Sequence, residues 1–179
     1  DGFLRKPECL ELELSEGALE AFLRGPEASR VKRLWLKSNG ATQPGLGRLL
    51  KATPALTALA LHHVPVTGDV LREWAAHPPM GLRGLSLSIA PLSGAKDGEA
   101  LQALAQSAGL KWLAVSYTNL GDAGVQGLMS GKSAFEQLEG LSLSESEVGD
   151  EGAQALGAKA KAGGLPRLSL LRLFGSERV

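Results

Sequence analysis

A triplet of apolar residues with the spacing LxxLxL recurs along the chain at nearly even intervals. Successive copies begin 25, 26, 28, 28 and 30 residues apart, at Val31, Leu56, Leu82, Leu110, Leu138 and Leu168. An earlier strand fits either Cys9, Leu12 and Leu14 or Leu10 with Leu12. Self-similarity at such a period indicates small units that stack. We therefore predict one domain over residues 1–179, built from about six repeats that start near 9, 31, 56, 82, 110, 138 and 168.

Each unit has two halves with different apolar periods. Apolar and polar residues alternate around the triplet, which is typical of a short strand with one buried face. The spacing then becomes helical, as at Leu46, Leu49 and Leu50 or at Leu101 and Leu104. Carboxylates near the predicted helix starts, which stabilise unpaired amides there, are Asp97, Asp122 and Asp150. One strand and one helix cannot bury an apolar face alone, whereas stacked copies share a core.

Two stretches carry the pattern most clearly: LKWLAVSYTNLGDAGVQGL at 110–128 and LEGLSLSESEVGDEGAQAL at 138–156. On these, the chain from about residue 9 to 176 resembles leucine-rich repeats, in particular the long ribonuclease-inhibitor type. The resemblance implies an α/β solenoid, a horseshoe or arc with a parallel β-sheet on the concave face and helices on the convex face. It implies protein–protein recognition rather than catalysis. The ninth repeat position, usually Asn or Cys in that family, conforms only at Asn39, so we expect an irregular turn ladder.

A candidate binding surface follows from the strand pattern. If the first, fourth and sixth repeat positions face the core, the third, fifth and seventh line the exposed sheet face, and the eighth lies at its edge. These columns contain mostly small side chains, and large aromatic or arginine residues among them are typical of binding hot spots. A tryptophan here can also pack over its neighbouring strand. The residues predicted to contact a partner are Arg33, Trp35, Lys37, His62, Trp112, Tyr117, Arg172 and Phe174.

The sequence contains no pattern that predicts catalysis or a bound cofactor. Gly131-Lys132-Ser133 is similar to the end of a phosphate-binding loop, but Gln126 stands where that loop requires a glycine. His62 and His63 are adjacent strand residues that should point to opposite sides, which does not suit a metal site. Cys9 has no histidine placed near it by the repeat, and we expect it at a core position. We predict no enzymatic activity, no metal and no cofactor.

Composition bears on partners and location. The 19 basic and 19 acidic residues balance, so no net charge attracts nucleic acid or a membrane surface. The chain has no apolar run near the roughly 18 residues that a membrane-spanning helix requires. A single cysteine fits a reducing compartment, and we expect a cytoplasmic location. Because neither end carries an obvious polar cap, we expect a piece of a longer protein, or end-to-end contact through the uncapped repeats.

The favoured interpretation is a non-catalytic scaffold that binds another protein through the concave sheet surface. Two other interpretations stay open. One is a sensor or autoinhibitory repeat arm of a larger signalling protein or enzyme. The other is a carbohydrate or nucleic-acid binding module that stacks Trp and Tyr beside Lys37 and Lys111. The zero net charge disfavours the nucleic-acid version.

Overall fold

The structure, a computed structural model, describes residues 9–13, 16–37, 43–131 and 133–175, along which seven strands alternate with six helices. The strands are Cys9–Glu13 (β1), Arg33–Lys37 (β2), Ala58–His62 (β3), Gly84–Ser88 (β4), Trp112–Ser116 (β5), Gly140–Ser142 (β6) and Leu170–Arg172 (β7). The helices are Glu16–Arg24 (α1), Gln43–Ala52 (α2), Gly68–Ala76 (α3), Gly94–Ala108 (α4), Gly121–Leu128 (α5) and Asp150–Lys161 (α6). All strand pairs are parallel, and the strands lie side by side in chain order.

The register of the sheet follows the repeat columns from β2 onward. Leu34 pairs with Leu59, and Leu113 pairs with Leu141, so residues of the same repeat position stand side by side. The fourth-column leucines of β2 to β6 are only 1–3% exposed. Because every unit buries the same strand face against its helix, the leucines form one continuous core along the stack. The predicted triplet spacing is confirmed over these strands.

The register of β1 matches the second of the two alternatives given by the sequence, in which Leu10 and Leu12 are the inward-facing residues. Leu10 and Leu12 pair with Leu34 and Leu36, which places them in the inward columns, and both pack partly buried against the core. The register puts Cys9 beside Arg33, in the third column. The prediction of a core position for Cys9 concerns a side chain that lies outside the part of the chain that the structure describes. Leu14 lies outside the described residues.

The sheet forms the inner face of a curved stack. Packed helices stand about 8–10 Å apart, whereas neighbouring strands are about 4.8 Å apart. A stack with one strand and one helix per unit must therefore curve, with the helices on the outer, convex side. The third, fifth and seventh columns of the described strands line the concave face.

Close helix contacts define the spacing of the middle units. A Cβ atom at Gly98 of α4 would overlap the carbonyl oxygen of Gly124 in α5 and lie 2.7 Å from the amide nitrogen of Leu128. A Cβ atom at Gly127 would lie 2.9 Å from Cα of Ala95. The two helix backbones touch directly, and the repeat spacing at α4 and α5 depends on these glycines.

A carboxylate links consecutive helices. Asp122, in the first turn of α5, accepts hydrogen bonds from the amides of Gly149 (2.6 Å) and Gly152 (2.9 Å) at the start of α6. Asp97 of α4 accepts one from the amide of Ser93 (2.8 Å) within its own unit. The prediction that aspartates lie near helix starts is confirmed, and Asp122 stabilises the helix of the next repeat as well as its own.

The turns after the strands are irregular, as expected from the ninth column. Thr118 donates its hydroxyl hydrogen to the hydroxyl of Ser146, which is 0% exposed, over 3.1 Å. Two earlier units use proline instead. In Val64-Pro65-Val66 and Ala90-Pro91-Leu92 the amide of the third residue donates to the carbonyl of the first, at 2.7 and 2.8 Å. Proline needs no amide partner at the middle of such a turn. Asn39 lies outside the described residues.

The core is exposed at β7. Leu171 occupies the same inward column as Leu141, yet Leu171 is 44% exposed and Leu141 is 1% exposed. The part of the chain that the structure describes contains no helix after β7. A leucine column that is buried from β2 to β6 therefore contacts solvent at β7.

Candidate partner-binding site on the concave face

An open groove of about 410 Å³ runs across the concave face. Its floor consists of seven third- and fifth-column residues on β3 to β6, and their side chains are small. They are Ala58, Ala60, Gly84, Ser86, Ala114, Gly140 and Ser142. The leucines of the intervening columns point to the core, so these short side chains leave the sheet surface low. The groove is recessed because the floor side chains on these four successive strands are small.

Two indoles stand along this groove. Trp35 on β2 is 42% exposed and Trp112 on β5 is 48% exposed, and both line the groove. The ring of Trp112 rests on the backbone of Gly140 in β6, where an added Cβ would overlap the ring. Gly84 on β4 stays uncovered, since a Cβ there would meet only Ala58, with Cβ at 3.7 Å. Trp112 therefore packs over a neighbouring strand and still offers half its surface to the groove.

The charged residues that line the groove are both arginines. Arg33 lies on β2 and Arg172 on β7, and both are exposed. Neither forms an ion pair among the described residues. The lining of the groove includes no carboxylate. The lining of the groove therefore carries two positive charges and no negative one, although the chain has no net charge.

Two of the predicted contact residues lie on the concave face but outside the groove lining. Lys37 ends β2 and forms an ion pair with Glu13 of β1 at 3.7 Å. His62 ends β3, and its ring meets that of His63 edge to face at 5.0 Å between centroids. The expectation that the two histidines point to opposite sides is wrong. His63 has left the strand and has a φ of 56°, which turns its side chain back toward His62.

Tyr117 belongs to a different surface from Trp112. The eighth-column residues that adopt left-handed backbone conformations, with φ from 53° to 56°, are His63, Ile89, Tyr117 and Glu145. This conformation ends the strand and places the Tyr117 side chain, 61% exposed, at the sheet edge. There it lines a separate depression with His63 and Ile89. Tyr117 was predicted at the edge, and it does not line the concave groove.

Phe174 is also separate from the groove. It is 71% exposed and lines a depression near the first turns of α5 and α6, together with Glu145 and Gly149. Of the eight predicted contact residues, the structure brings four together in the groove. They are Arg33, Trp35, Trp112 and Arg172.

Sequence reasoning missed one buried cation. Lys159 of α6 is 7% exposed and donates to the carbonyls of Gly131 (3.0 Å) and Ser133 (2.9 Å) in the loop after α5. Its ammonium also lies 5.7 Å from the centre of the Phe135 ring. Desolvation on burial lowers the pKa of Lys159 from its ordinary value of 10.5. A lysine between alanines in a helix resembles a surface residue, so only the fold reveals this contact.

The described residues were compared with the requirements for metal ligands and for membrane-spanning helices. They contain no group of three or more His, Cys, Asp or Glu side chains that could hold a metal ion. Lys132, the middle residue of the phosphate-loop-like stretch, lies outside the described ranges. Among the helices that the structure describes, none is long and apolar enough to cross a membrane.

Comparison with known proteins identifies no family for the chain. No family model matches the chain, and no curated protein matches it. A solved structure described as the TLR13–ssRNA13 complex is similar over 93% of this chain, with 16% sequence identity and a TM-score of 0.40. The match spans 29% of the TLR13 chain.

The deciding observation is internal to the molecule: parallel strands in chain order, each followed by a helix, with LxxLxL leucines in register. On these internal features, the chain folds as an α/β leucine-rich-repeat solenoid. In this solenoid the candidate site is the groove on the concave sheet.

Proposed function

We propose that this leucine-rich-repeat solenoid is a non-catalytic scaffold that binds another protein through the concave groove. The observation that carries the proposal is the combination of a low floor with two half-exposed indoles, Trp35 and Trp112. Aromatic side chains at a recess contribute large contact area, and such residues dominate binding energies at protein interfaces.

The sheet also supports recognition because it is already ordered. Every groove residue lies on or beside a strand that is hydrogen-bonded to its neighbours, so binding need not order a loop. The groove lining extends from β2 to β7, which at about 4.8 Å per strand is roughly 24 Å. That length suits a polypeptide segment better than a small molecule.

We further propose that the repeats are of the ribonuclease-inhibitor type. The support is that each pair of consecutive strands is joined by an α-helix, with lengths of 8–15 residues. A sensor or autoinhibitory role and a cytoplasmic location stay predictions, since they depend on sequence alone.

A blocking substitution tests the scaffold proposal. Ser86→Tyr places a neutral ring on the groove floor of β4, and Ser116→Tyr places the same ring at the end of β5, outside the groove. A displayed library of random linear peptides is selected on the wild-type protein. The recovered peptides should bind Ser116→Tyr like wild type and lose about tenfold or more in affinity for Ser86→Tyr, because side-chain truncation or blocking at an anchor pocket costs 2 kcal/mol or more. Equal binding to both variants would place recognition outside the groove and contradict the proposal.

A further inference from the structure

The charge of the groove constrains what can occupy it. Arg33 and Arg172 have no ion-pair partner among the described residues, whereas Lys37 at the end of β2 and Lys111 just before β5 each have one. Lys37 pairs with Glu13, and Lys111 pairs with Glu139 at 2.7 Å. Since the groove has no carboxylate of its own, an incoming acidic group would meet two cations and no repulsion from the lining.

The two arginines stand at opposite ends of the groove. They lie on β2 and β7, five strand spacings apart, which is about 24 Å along the sheet. An extended polypeptide covers that distance with about seven residues. Guanidinium groups bind carboxylates through paired N–H···O hydrogen bonds, so each end offers a site for Asp or Glu.

The centre of the groove is apolar in character. Trp35 and Trp112 stand three strand spacings apart, about 14 Å, with Ala58, Ala60 and Gly84 on the floor between them. Because the Trp112 ring packs against Gly140 on β6, the ring does not cover β4, and Gly84 stays accessible from the groove. A large apolar side chain can therefore enter this space and contact an indole.

We propose that the partner contributes an extended segment of polypeptide with acidic residues near both of its ends. An apolar or aromatic side chain in the middle of this segment lies over β3 and β4, and the two carboxylates pair with Arg33 and Arg172. This inference rests on the proposed function, because it specifies the chemistry of a protein partner for the same groove. The charge complementarity of the groove and the spacing of its arginines select this occupant over an uncharged apolar segment.

The test uses the double variant Arg33→Gln/Arg172→Gln, with Arg30→Gln as the matched control. Arg30 is an exposed arginine just before β2 and does not line the groove. Peptides selected from the random library on wild-type protein are synthesised in two forms, as selected and with every Asp and Glu changed to Asn and Gln. Binding is measured by fluorescence anisotropy at low and high salt.

We expect the selected peptides to carry acidic residues on both sides of an apolar centre. Their affinity should fall about tenfold or more for the double variant at low salt and stay unchanged for Arg30→Gln, since close interfacial charge pairs couple by about 1.5 kcal/mol or more. The neutral peptides should bind wild type and the double variant equally, and added salt should weaken only the acidic form.

Three results would overturn the inference, and they can be told apart. If neutral peptides bind as tightly as acidic ones, and Ser86→Tyr still blocks both, the scaffold function stands and the acidic partner does not. If Ser86→Tyr blocks neither form, the scaffold proposal fails as well. If fluorescein-labelled oligouridine binds more tightly than every peptide and loses affinity in the double variant, the groove binds nucleic acid instead.

Discussion

Replacing Gly98 by alanine tests the contact between α4 and α5, on which the spacing of the middle strands depends. An added methyl group would meet the carbonyl oxygen of Gly124 and would lie 2.7 Å from the amide nitrogen of Leu128. Ordinary non-bonded contacts between carbon atoms are about 3.5–4.0 Å. The two helices would therefore have to separate by about 1 Å, because both contacting atoms belong to backbone and cannot rotate away.

The size of the effect follows from two opposing contributions. Overpacking against rigid neighbours costs about 1–3 kcal/mol and sometimes more, and a backbone clash falls at the upper end of that range. Alanine in a helix regains about 1 kcal/mol over glycine. The free energy of unfolding should therefore fall by about 2 kcal/mol, which for a chain of this size lowers Tm by about 4–8 °C.

Gly157 provides the matched control, since it lies in α6 and a Cβ there would meet nothing within 4 Å. Gly157→Ala should raise the free energy of unfolding by about 0.5–1 kcal/mol. Urea and thermal unfolding followed by far-UV circular dichroism measure both variants. If Gly98→Ala were as stable as Gly157→Ala, the two backbones would not be in contact and the helix packing described above would be wrong.

Two further pairs of substitutions test burial. Leu141→Ala should lower the free energy of unfolding by about 2–5 kcal/mol, and Leu171→Ala in the same column by about 1 kcal/mol or less, since Leu171 is 44% exposed; urea unfolding that gave equal losses would contradict the exposure of β7. Lys159→Met should cost about 1–3 kcal/mol near neutral pH, because buried carbonyls lose their donor, while the exposed Lys161→Met should stay within about 0.5 kcal/mol. The pKa of Lys159 is lowered in the folded state, so between that pKa and 10.5 the unfolded chain binds more protons. The stability of the wild-type protein relative to Lys159→Met should therefore rise with pH across that window, and a fall measured in urea titrations at several pH values would refute the buried environment.

The strands and the core could be predicted because their information is local. Alternation of leucines marks the buried face of each strand, and the repeat interval places successive strands in register, as Leu113 and Leu141 show. The aspartates at helix starts follow from the same local reasoning. The register of β1 was ambiguous, because Leu10, Leu12 and Leu14 alternate whether or not Cys9 begins the triplet.

The candidate site could be predicted only in part. The columns correctly brought Trp35 and Trp112 to one face, since side-chain direction in a strand follows residue parity. Side-chain direction does not follow residue parity for residues just beyond the end of a strand. Tyr117 and His63 have left-handed backbone conformations, so their side chains lie at the sheet edge or fold back, and alternation says nothing about them.

The sequence by itself determined which residues form the solenoid core and which columns face away from it, because hydrophobic periodicity records burial within one unit. Tertiary structure decided the features that depend on contacts with residues about one repeat away along the chain. The burial of Trp74, whose indole donates to the carbonyl of Leu46 over 2.8 Å, is one such case. The lean of Trp112 onto Gly140 is another, and it leaves the groove open. These contacts join positions 28 residues apart, where the neighbour is set by stacking of the repeats and not by the local pattern.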